Sequence, residues 1–424
     1  MHKKIIILVV FIGLLFDAFQ GAVILYSIPI PSVSMLFRLL IMLLALFLIF
    51  NKRLVVNELA IIIFCFLLLF SQLFYWVANN YSDFSYGASM FLKAIYFLSV
   101  FKCLSVALER VETIYVFRAI KNVSIAYALL FMFSLFSGQG FLTYGIYTFG
   151  IKSFFKSGND IGLVLFIMGS ISLIGFKEMN QKKYMFSTFL CIFCMVLVAS
   201  KTSLLLSFCL LMLSVLFVLN AKTSSPLYEL SKKIFIYLFG ALGVFGFYLS
   251  INFLVNVFSH QADMMLKLLE LSEGPRTQFI MYGNKVLSNY SLSDYLFGRG
   301  GEFFISIGEL FYQANLRLPN TPIIRAVESD FYDVIGTLGI LTFIFISSFY
   351  LVFLCKAFLF LFRVKSLTSL LFLFSFTVLI SHSILAGHVM YSAPVNMMFA
   401  VLAVIFSKIA KVKRLTINSE IKNK

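Results

Sequence analysis

The sequence predicts an all-α polytopic integral membrane protein of about twelve transmembrane helices, with one large outward loop between the ninth and the tenth. Three observations carry this. The chain has 424 residues, of which 61% are hydrophobic and 12% charged; a soluble domain holds about 45–50% apolar and about 25% charged residues. The apolar runs are continuous over about 17 residues or more, enough for a helix to cross the hydrocarbon, whereas barrel strands alternate and run about 10. One long segment, 259–333, is too polar to sit in a bilayer: it holds six basic residues, Lys267, Arg276, Lys285, Arg299, Arg317 and Arg325, and eight acidic ones from Asp263 to Asp330.

Taken in order, the first span runs about Lys4–Phe19 and is followed by a loop with Pro29 and Pro31. A charged start before an apolar run also fits a signal peptide, but no small-x-small cleavage site follows, so an uncleaved span is expected. The second span is Val33–Phe50, the third Glu58–Ala78, the fourth Tyr86–Ala107 and the fifth Thr113–Phe136. A Gly- and Tyr-rich loop, Ser137–Gly158, leads to the sixth, Asn159–Phe176. The seventh, Tyr184–Ala199, and the eighth, Thr202–Asn220, are joined only by Ser200 and Lys201. The ninth is Ile234–Phe258, the tenth Val334–Leu361, the eleventh Leu367–Leu385 and the twelfth Pro394–Ile409. The chain thus divides into 1–258, a bundle of nine spans; 259–333, the outward loop; and 334–424, three spans and a basic tail.

Charge gives the expected orientation. If alternate connections face the cytoplasm, starting with the N-terminus, that side holds 23 of the 34 Lys and Arg, and the other holds nine, six of them in the long loop. Positive charge marks the cytoplasmic side. Both termini are therefore expected in the cytoplasm, and the long loop outside a cytoplasmic (inner) membrane. The same distribution argues against nucleic acid as a partner: the excess of cations sits in short clusters between spans and forms no basic stripe. Membrane lipids are the obvious partner, and the tail Lys408–Lys424 reads as an orientation anchor.

Within the loop, Ala262–Leu271, Arg276–Tyr290 and Gly300–Tyr312 place apolar residues at helical spacing, as for amphipathic helices lying on the bilayer or capping the bundle. No nucleotide-binding glycine motif and no metal-spaced histidines are present, so no cofactor and no metal are expected. The six cysteines lie in or beside spans, where Cys191 and Cys194 read as apolar filler. His382 and His388 read as interfacial polar residues beside the last outward loop. Few ionisable residues lie inside spans (Asp17, Arg38, Lys93, Asp160), thin for a proton relay.

Charge concentrated on the outer face suits an anionic, membrane-anchored substrate such as a lipid-linked pyrophosphate. Arginine supplies a planar fork of donors for phosphate oxygens, which makes Arg276, Arg299, Arg317, Arg325 and Lys201 candidates for holding it. Glu328, Asp330 and Asp333 stand where the tenth span begins. A carboxylate there can activate an attacking sugar hydroxyl; equally, all three can cap the span favourably for its dipole, and spacing alone favours the cap. Tyr144, Tyr147 and Tyr312 read first as an interfacial aromatic belt and second as sugar-stacking platforms.

These residues carry a resemblance. Gly274-Pro275-Arg276 opens a helix, Tyr295-Leu296-Phe297-Gly298-Arg299-Gly300-Gly301 forms a glycine turn after an apolar run, and Glu328-Ser329-Asp330-Phe331-Tyr332-Asp333 enters the next span. Ala199-Ser200-Lys201-Thr202-Ser203 makes a short outer turn, and Asn159 stands within Gly158–Gly162. In this pattern the chain resembles the Wzy-type polysaccharide repeat-unit polymerases of the O-antigen ligase-like superfamily. The resemblance implies a GT-C-like, metal-independent, inverting glycosyltransferase that joins undecaprenyl-pyrophosphate-linked oligosaccharides of an O-antigen, capsule or exopolysaccharide, alongside a flippase and a chain-length regulator. It implies Arg276, Glu328 and Asp330 as catalytic residues, and Lys201, Arg299, Arg317, Arg325 and Asn159 as binders of pyrophosphate or sugar. Ligases of the superfamily resemble one another in a His-Asn where Glu328-Ser329 stands here, which favours polymerase over ligase. A lipid-linked oligosaccharide flippase and a non-catalytic membrane subunit remain as alternatives.

Overall fold

The computed structural model describes residues 2–30, 32–51, 56–81, 83–143, 150–220, 275–314 and 325–422. It is a bundle of long apolar helices, as the composition requires. The first helices are α1 (His2–Leu25), α2 (Val33–Phe50), α3 (Val56–Ala78), α4 (Phe84–Arg110), α5 (Ile114–Ser137), α6 (Gly158–Met179), α7 (Lys182–Val198) and α8 (Lys201–Leu219). The long loop contributes α9 (Pro275–Ser288), α10 (Leu292–Phe297) and α11 (Glu302–Ala314). The chain then continues through α12 (Asp330–Val364), α13 (Leu367–Leu385) and α14 (Ala393–Lys422). Ten of the described helices are long and apolar enough to cross a membrane, so the chain is a multi-pass membrane protein. The eleventh of the expected spans to be described, the seventh in sequence, is the 17-residue α7. The expected ninth span, the first loop helix at Ala262–Leu271, Tyr144, Tyr147 and Arg317 lie outside the described residues.

Helix α6 is the central post, with 89% of its span buried. Its start is fixed by Ser157, whose side chain accepts the Asp160 backbone N–H. Small residues along it let α8 close in: a Cβ on Gly162 would meet Ser203 Oγ at 2.0 Å, and one on Gly169 would meet Leu210 Cδ2 at 2.3 Å. Close packing of small residues and interhelical polar contacts are what hold apolar helices together where lipid competes for greasy surface. Here Ser172 and Ser187 lie 2.9 Å apart, and Ser187 donates to Ser124 at 2.9 Å, tying α6, α7 and α5. A short antiparallel pair, β1 (Phe141–Leu142) and β2 (Ile151–Ser153), folds the connection between α5 and α6 back against the bundle.

Helix α12 is broken about two and a half turns from its start. Gly339 adopts φ 77°, ψ 167°, outside any helical region. Carbonyls freed inside an apolar bundle must find donors, and the loop supplies them. Arg299 N–H donates to Gly336 O at 2.9 Å, Gly300 N–H to Thr337 O at 3.0 Å, and Tyr290 O–H to Gly336 O at 2.8 Å. From α3, Gln72 donates to Leu338 O and to Thr342 Oγ1, the latter at 2.7 Å. Trp76, also on α3 and fully buried, donates to Gly298 O at 3.0 Å. Gly298 itself needs positive φ (70°), and a side chain there would strike Thr337 O at 2.3 Å. The glycine turn is thus a plug seated in the break. The other loop helices cap the bundle, with Val286, Leu287, Phe303, Phe304 and Ile307 buried in its core.

Candidate functional site

The connections on the loop-bearing end of the bundle converge on one cavity of about 870 Å³. That lies within the range of small-molecule sites, about 300–1,000 Å³. Helices α1, α2 and α4 contribute Asp17, Arg38 and Lys93; β2 contributes Lys152, the β2–α6 turn Lys156 and the first turn of α6 Asn159 and Asp160; Glu328 precedes α12; and His388 and Tyr391 come from the α13–α14 connection. The surroundings are apolar at Ile24, Met35, Phe155 and Phe304.

Four cations therefore face the cavity, and only one is matched closely: Arg38 pairs with Asp17 at 2.5 Å. Asp160 is occupied by hydroxyls, accepting from Ser157 at 2.6 Å and from Ser392 at 2.7 Å. Among the described residues Lys93 has no carboxylate within salt-bridge distance. Among the described residues Lys152 donates to the Lys156 carbonyl alone, at 3.1 Å, and burial lowers its pKa. A desolvated ammonium without a carboxylate gains strongly from an incoming anion.

The wall opposite is built by two aspartates at the head of α12. Asp330 Oδ2 accepts Ser383 Oγ at 2.6 Å and the Val389 and Met390 N–H groups at 3.0 and 3.1 Å, which fixes the α13–α14 connection. Asp333 accepts the Val327 and Glu328 N–H groups at 2.8 and 3.2 Å and Tyr391 O–H at 2.9 Å. Both are fully buried, so neither is a helix cap exposed to water and neither lines the cavity. Their grip holds two non-glycine residues at positive φ, Glu328 (64°) and His388 (64°). Strained backbone of this kind persists where the surroundings over-determine it, and it gathers at functional sites. Gly387, also at positive φ, lies so close that a Cβ would meet the Glu328 carbonyl carbon at 2.6 Å. Burial alone would lower the His388 pKa, but Asp160, Asp333, Asp330 and Glu328 outweigh it and raise it above its ordinary 6.5.

Of the residues expected from sequence, Glu328 and Asn159 line the cavity. Asp330 stands behind its wall as a loop anchor rather than at the surface where a sugar would bind. Arg299 is spent elsewhere: it pairs with Asp294 at 2.9 Å, donates to Asn289 O at 3.0 Å, and stacks over Tyr290 with its guanidinium 4.4 Å from the ring centre. Asp294 is buried and also accepts from Tyr75 and Tyr81 at 2.9 and 2.5 Å. Burial would raise its pKa, but the hydrogen bonds from Arg299, Tyr81, Ser291 and Tyr75 prevail and hold it well below the usual carboxylate range. Arg299 therefore locks the plug and does not line the cavity. Arg325 is exposed, with its guanidinium 5.1 Å from the Phe311 ring centre, and does not line the cavity. Lys201 is exposed at the start of α8, where its neighbour Ser200, not Lys201, reaches the cavity. Arg276 lies in the first turn of α9; its side chain, like all of Arg317, is outside what is described.

Of the cations that face the cavity, Arg38 and Lys93 were readable only as oddities inside spans, and Lys152 and Lys156 as ordinary residues of the loop 137–158. His388 carried one signal, a glycine before it in an outward turn. Among the described residues no three of His, Cys, Asp or Glu converge as metal ligands. Fold and cavity define the class: a polytopic helical membrane protein with a cation-bearing cavity at one end of its bundle. No family model, no curated protein and no solved structure matches the chain.

Proposed function

We propose that the chain is a membrane glycosyltransferase of the repeat-unit polymerase kind, acting on lipid-linked diphosphate oligosaccharides. One observation carries this reading. A cavity of about 870 Å³ in an otherwise apolar bundle sets Arg38, Lys93, Lys152 and Lys156 against Glu328 and His388. Cations of this number suit a diphosphate, and the opposing groups suit the hydroxyl that attacks it. The reading places the diphosphate on these four side chains rather than on the loop arginines that the family resemblance implied. Glu328, exposed at the wall and fixed in backbone, accepts from a hydroxyl of the acceptor sugar. Binding here positions donor and acceptor together, and positioning supplies much of such a rate.

A second reading, a lipid-linked oligosaccharide flippase, is favoured by the three charged residues Asp17, Arg38 and Lys93 within spans, all on the cavity. One experiment separates the two. The purified protein in proteoliposomes is given a single undecaprenyl-pyrophosphate-linked repeat unit, with no nucleotide added. A ladder of longer products supports the polymerase. Movement of the unit between leaflets without a ladder supports the flippase and ends the glycosyltransferase reading.

A further inference from the structure

Tyr391 joins His388 to a carboxylate, Asp333, that the function above does not use. Its O–H donates to Asp333 Oδ2 at 2.9 Å, and its oxygen lies 2.6 Å from His388 Nδ1. A carboxylate only accepts, and a tyrosine has one proton to give. With that proton directed at Asp333, the Tyr391 oxygen can only accept from His388. The chain thus fixes a hydrogen on Nδ1 and leaves Nε2 with its lone pair. Nε2 has no partner among the described residues, and His388 lines the cavity. Asp333 is anchored in turn by the Val327 and Glu328 N–H groups, so the relay rests on the first turn of α12 and not on a free loop.

We infer that His388 is the catalytic base for the proposed glycosyl transfer, with Tyr391 and Asp333 as positioning residues that fix its tautomer. The inference rests on the glycosyltransferase reading. In the step, the acceptor hydroxyl gives its proton to Nε2 while its oxygen forms the new bond to the donor sugar's anomeric carbon. The bond from that carbon to the phosphate oxygen breaks, and its electron pair leaves on the lipid diphosphate. The imidazolium then returns the proton to water in the cavity. Tyr391 stays bound to Asp333 throughout, and the ionised Asp333 stabilises the transient imidazolium. Glu328 takes a neighbouring hydroxyl, which orients the attacking one.

His388 is faced by Asp333 and Asp330 of α12, Glu328 before it, Asp160 of α6 and Tyr391 of its own connection, and it shares the cavity with Lys93, Lys152 and Lys156. Activity should therefore fall as pH drops through a histidine value lying above the ordinary one. Two measurements test the assignment. The first follows ladder formation in proteoliposomes across pH. H388Q should lose about 100-fold or more in kcat, with KM for the lipid-linked unit within a few-fold, and D160N, which removes a facing charge, should move the acid limb to lower pH. The second uses ¹⁵N-histidine NMR of the protein in nanodiscs, with H388Q identifying the signal. In the neutral form the wild type should carry its proton on Nδ1, and Y391F should shift that population toward Nε2. H388Q polymerising at the wild-type rate, or a wild-type histidine protonated on Nε2, overturns the assignment even where polymerisation is found. A wild type that makes no ladder at any pH removes the glycosyltransferase reading, and the base assignment falls with it; the NMR result then still reports the tautomer by itself.

Discussion

Substituting Gly339 by Ala tests whether the glycine turn is truly a plug in the break of α12. At φ 77° and ψ 167° the residue sits in a region open essentially to glycine, and an alanine there costs about 1–3 kcal/mol in strain alone. Its Cβ would also stand 2.1 Å from Leu296 O and 2.5 Å from Leu296 C, both backbone atoms. Relief requires α10 to move away, which breaks the bonds from Arg299 N–H to Gly336 O and from Gly300 N–H to Thr337 O. Each buried group left unpaired adds about 1–3 kcal/mol, so the total is at least about 3 kcal/mol. Gly138 is the control: its φ is 68°, and a Cβ there meets nothing within 4 Å. G138A should cost only the left-handed penalty, about 1–2 kcal/mol. Cys191 and Cys194 are free and fully buried, whereas Cys209 is half-buried and Cys355 exposed, so in a C209A/C355A background a thiol-reactive dye reports the melting of the detergent-solubilised protein. G339A melting no lower than G138A would refute the plug, and with it the locking role of Arg299.

Three further outcomes follow from the same geometry. Asp294 is held below its ordinary carboxylate range, so its stabilisation is complete above the unfolded value near 3.8 and is lost as pH falls through the folded one; the melting difference between wild type and D294N should be widest near neutrality and narrow in acid. The double variant K93Q/K152Q should raise KM for the lipid-linked unit by about tenfold or more, since charge-assisted bonds are worth about 1.5–3 kcal/mol each, and a KM unchanged from wild type would remove the two lysines from the diphosphate site. In a cysteine-free background, a cysteine at Gln139 should react with an impermeant maleimide from outside the cell, and one at Lys365 only after permeabilisation; the reverse order would overturn the orientation read from charge.

Span positions were legible because one physical requirement sets them. A backbone in lipid must satisfy its own polar groups, so each crossing writes a long apolar run into the sequence, and Val33–Phe50 and Leu367–Leu385 fall on the expected residues. The break in α12 was not legible, because a single Gly339 within an apolar run has the same composition as an unbroken helix. The candidate site was half legible. Glu328 and Asn159 were found where a polar residue meets a span end. For Arg299 the sequence left two uses open, because arginine chemistry suits phosphate and structural carboxylates equally; its pairing with Asp294 is seen only in the fold. Lys93 and Arg38 were discounted as residues able to reach an interface, since hydropathy does not say which side of a helix faces a cavity.

The first turns of α12 explain why the site and the fold are one problem here. Asp330 grips the connection that carries His388, and Asp333 grips both the Glu328 backbone and Tyr391. Just beyond them, the carbonyls of Gly336 and Thr337 receive the glycine turn of the long loop. Two loops far apart in sequence thus hang from one short stretch of buried helix. Helix α3 ties both parts together: Gln72 donates to Leu338 O and Thr342 Oγ1 of that stretch, and Trp76 donates to Gly298 O of the seated turn. Buried carboxylates are costly unless every oxygen is used, and Asp333 uses both of its oxygens on groups that shape the cavity. The cost is set against order at the wall, where two residues at unfavourable φ must stay in place. Loops seated this way present Glu328 and His388 with the precision of helical residues, as the proposed transfer between lipid-linked sugars would need. The same logic predicts where variation is tolerated: exposed loop residues such as Arg325 can change with little effect, whereas Asp330 and Asp333 cannot, although neither touches the cavity.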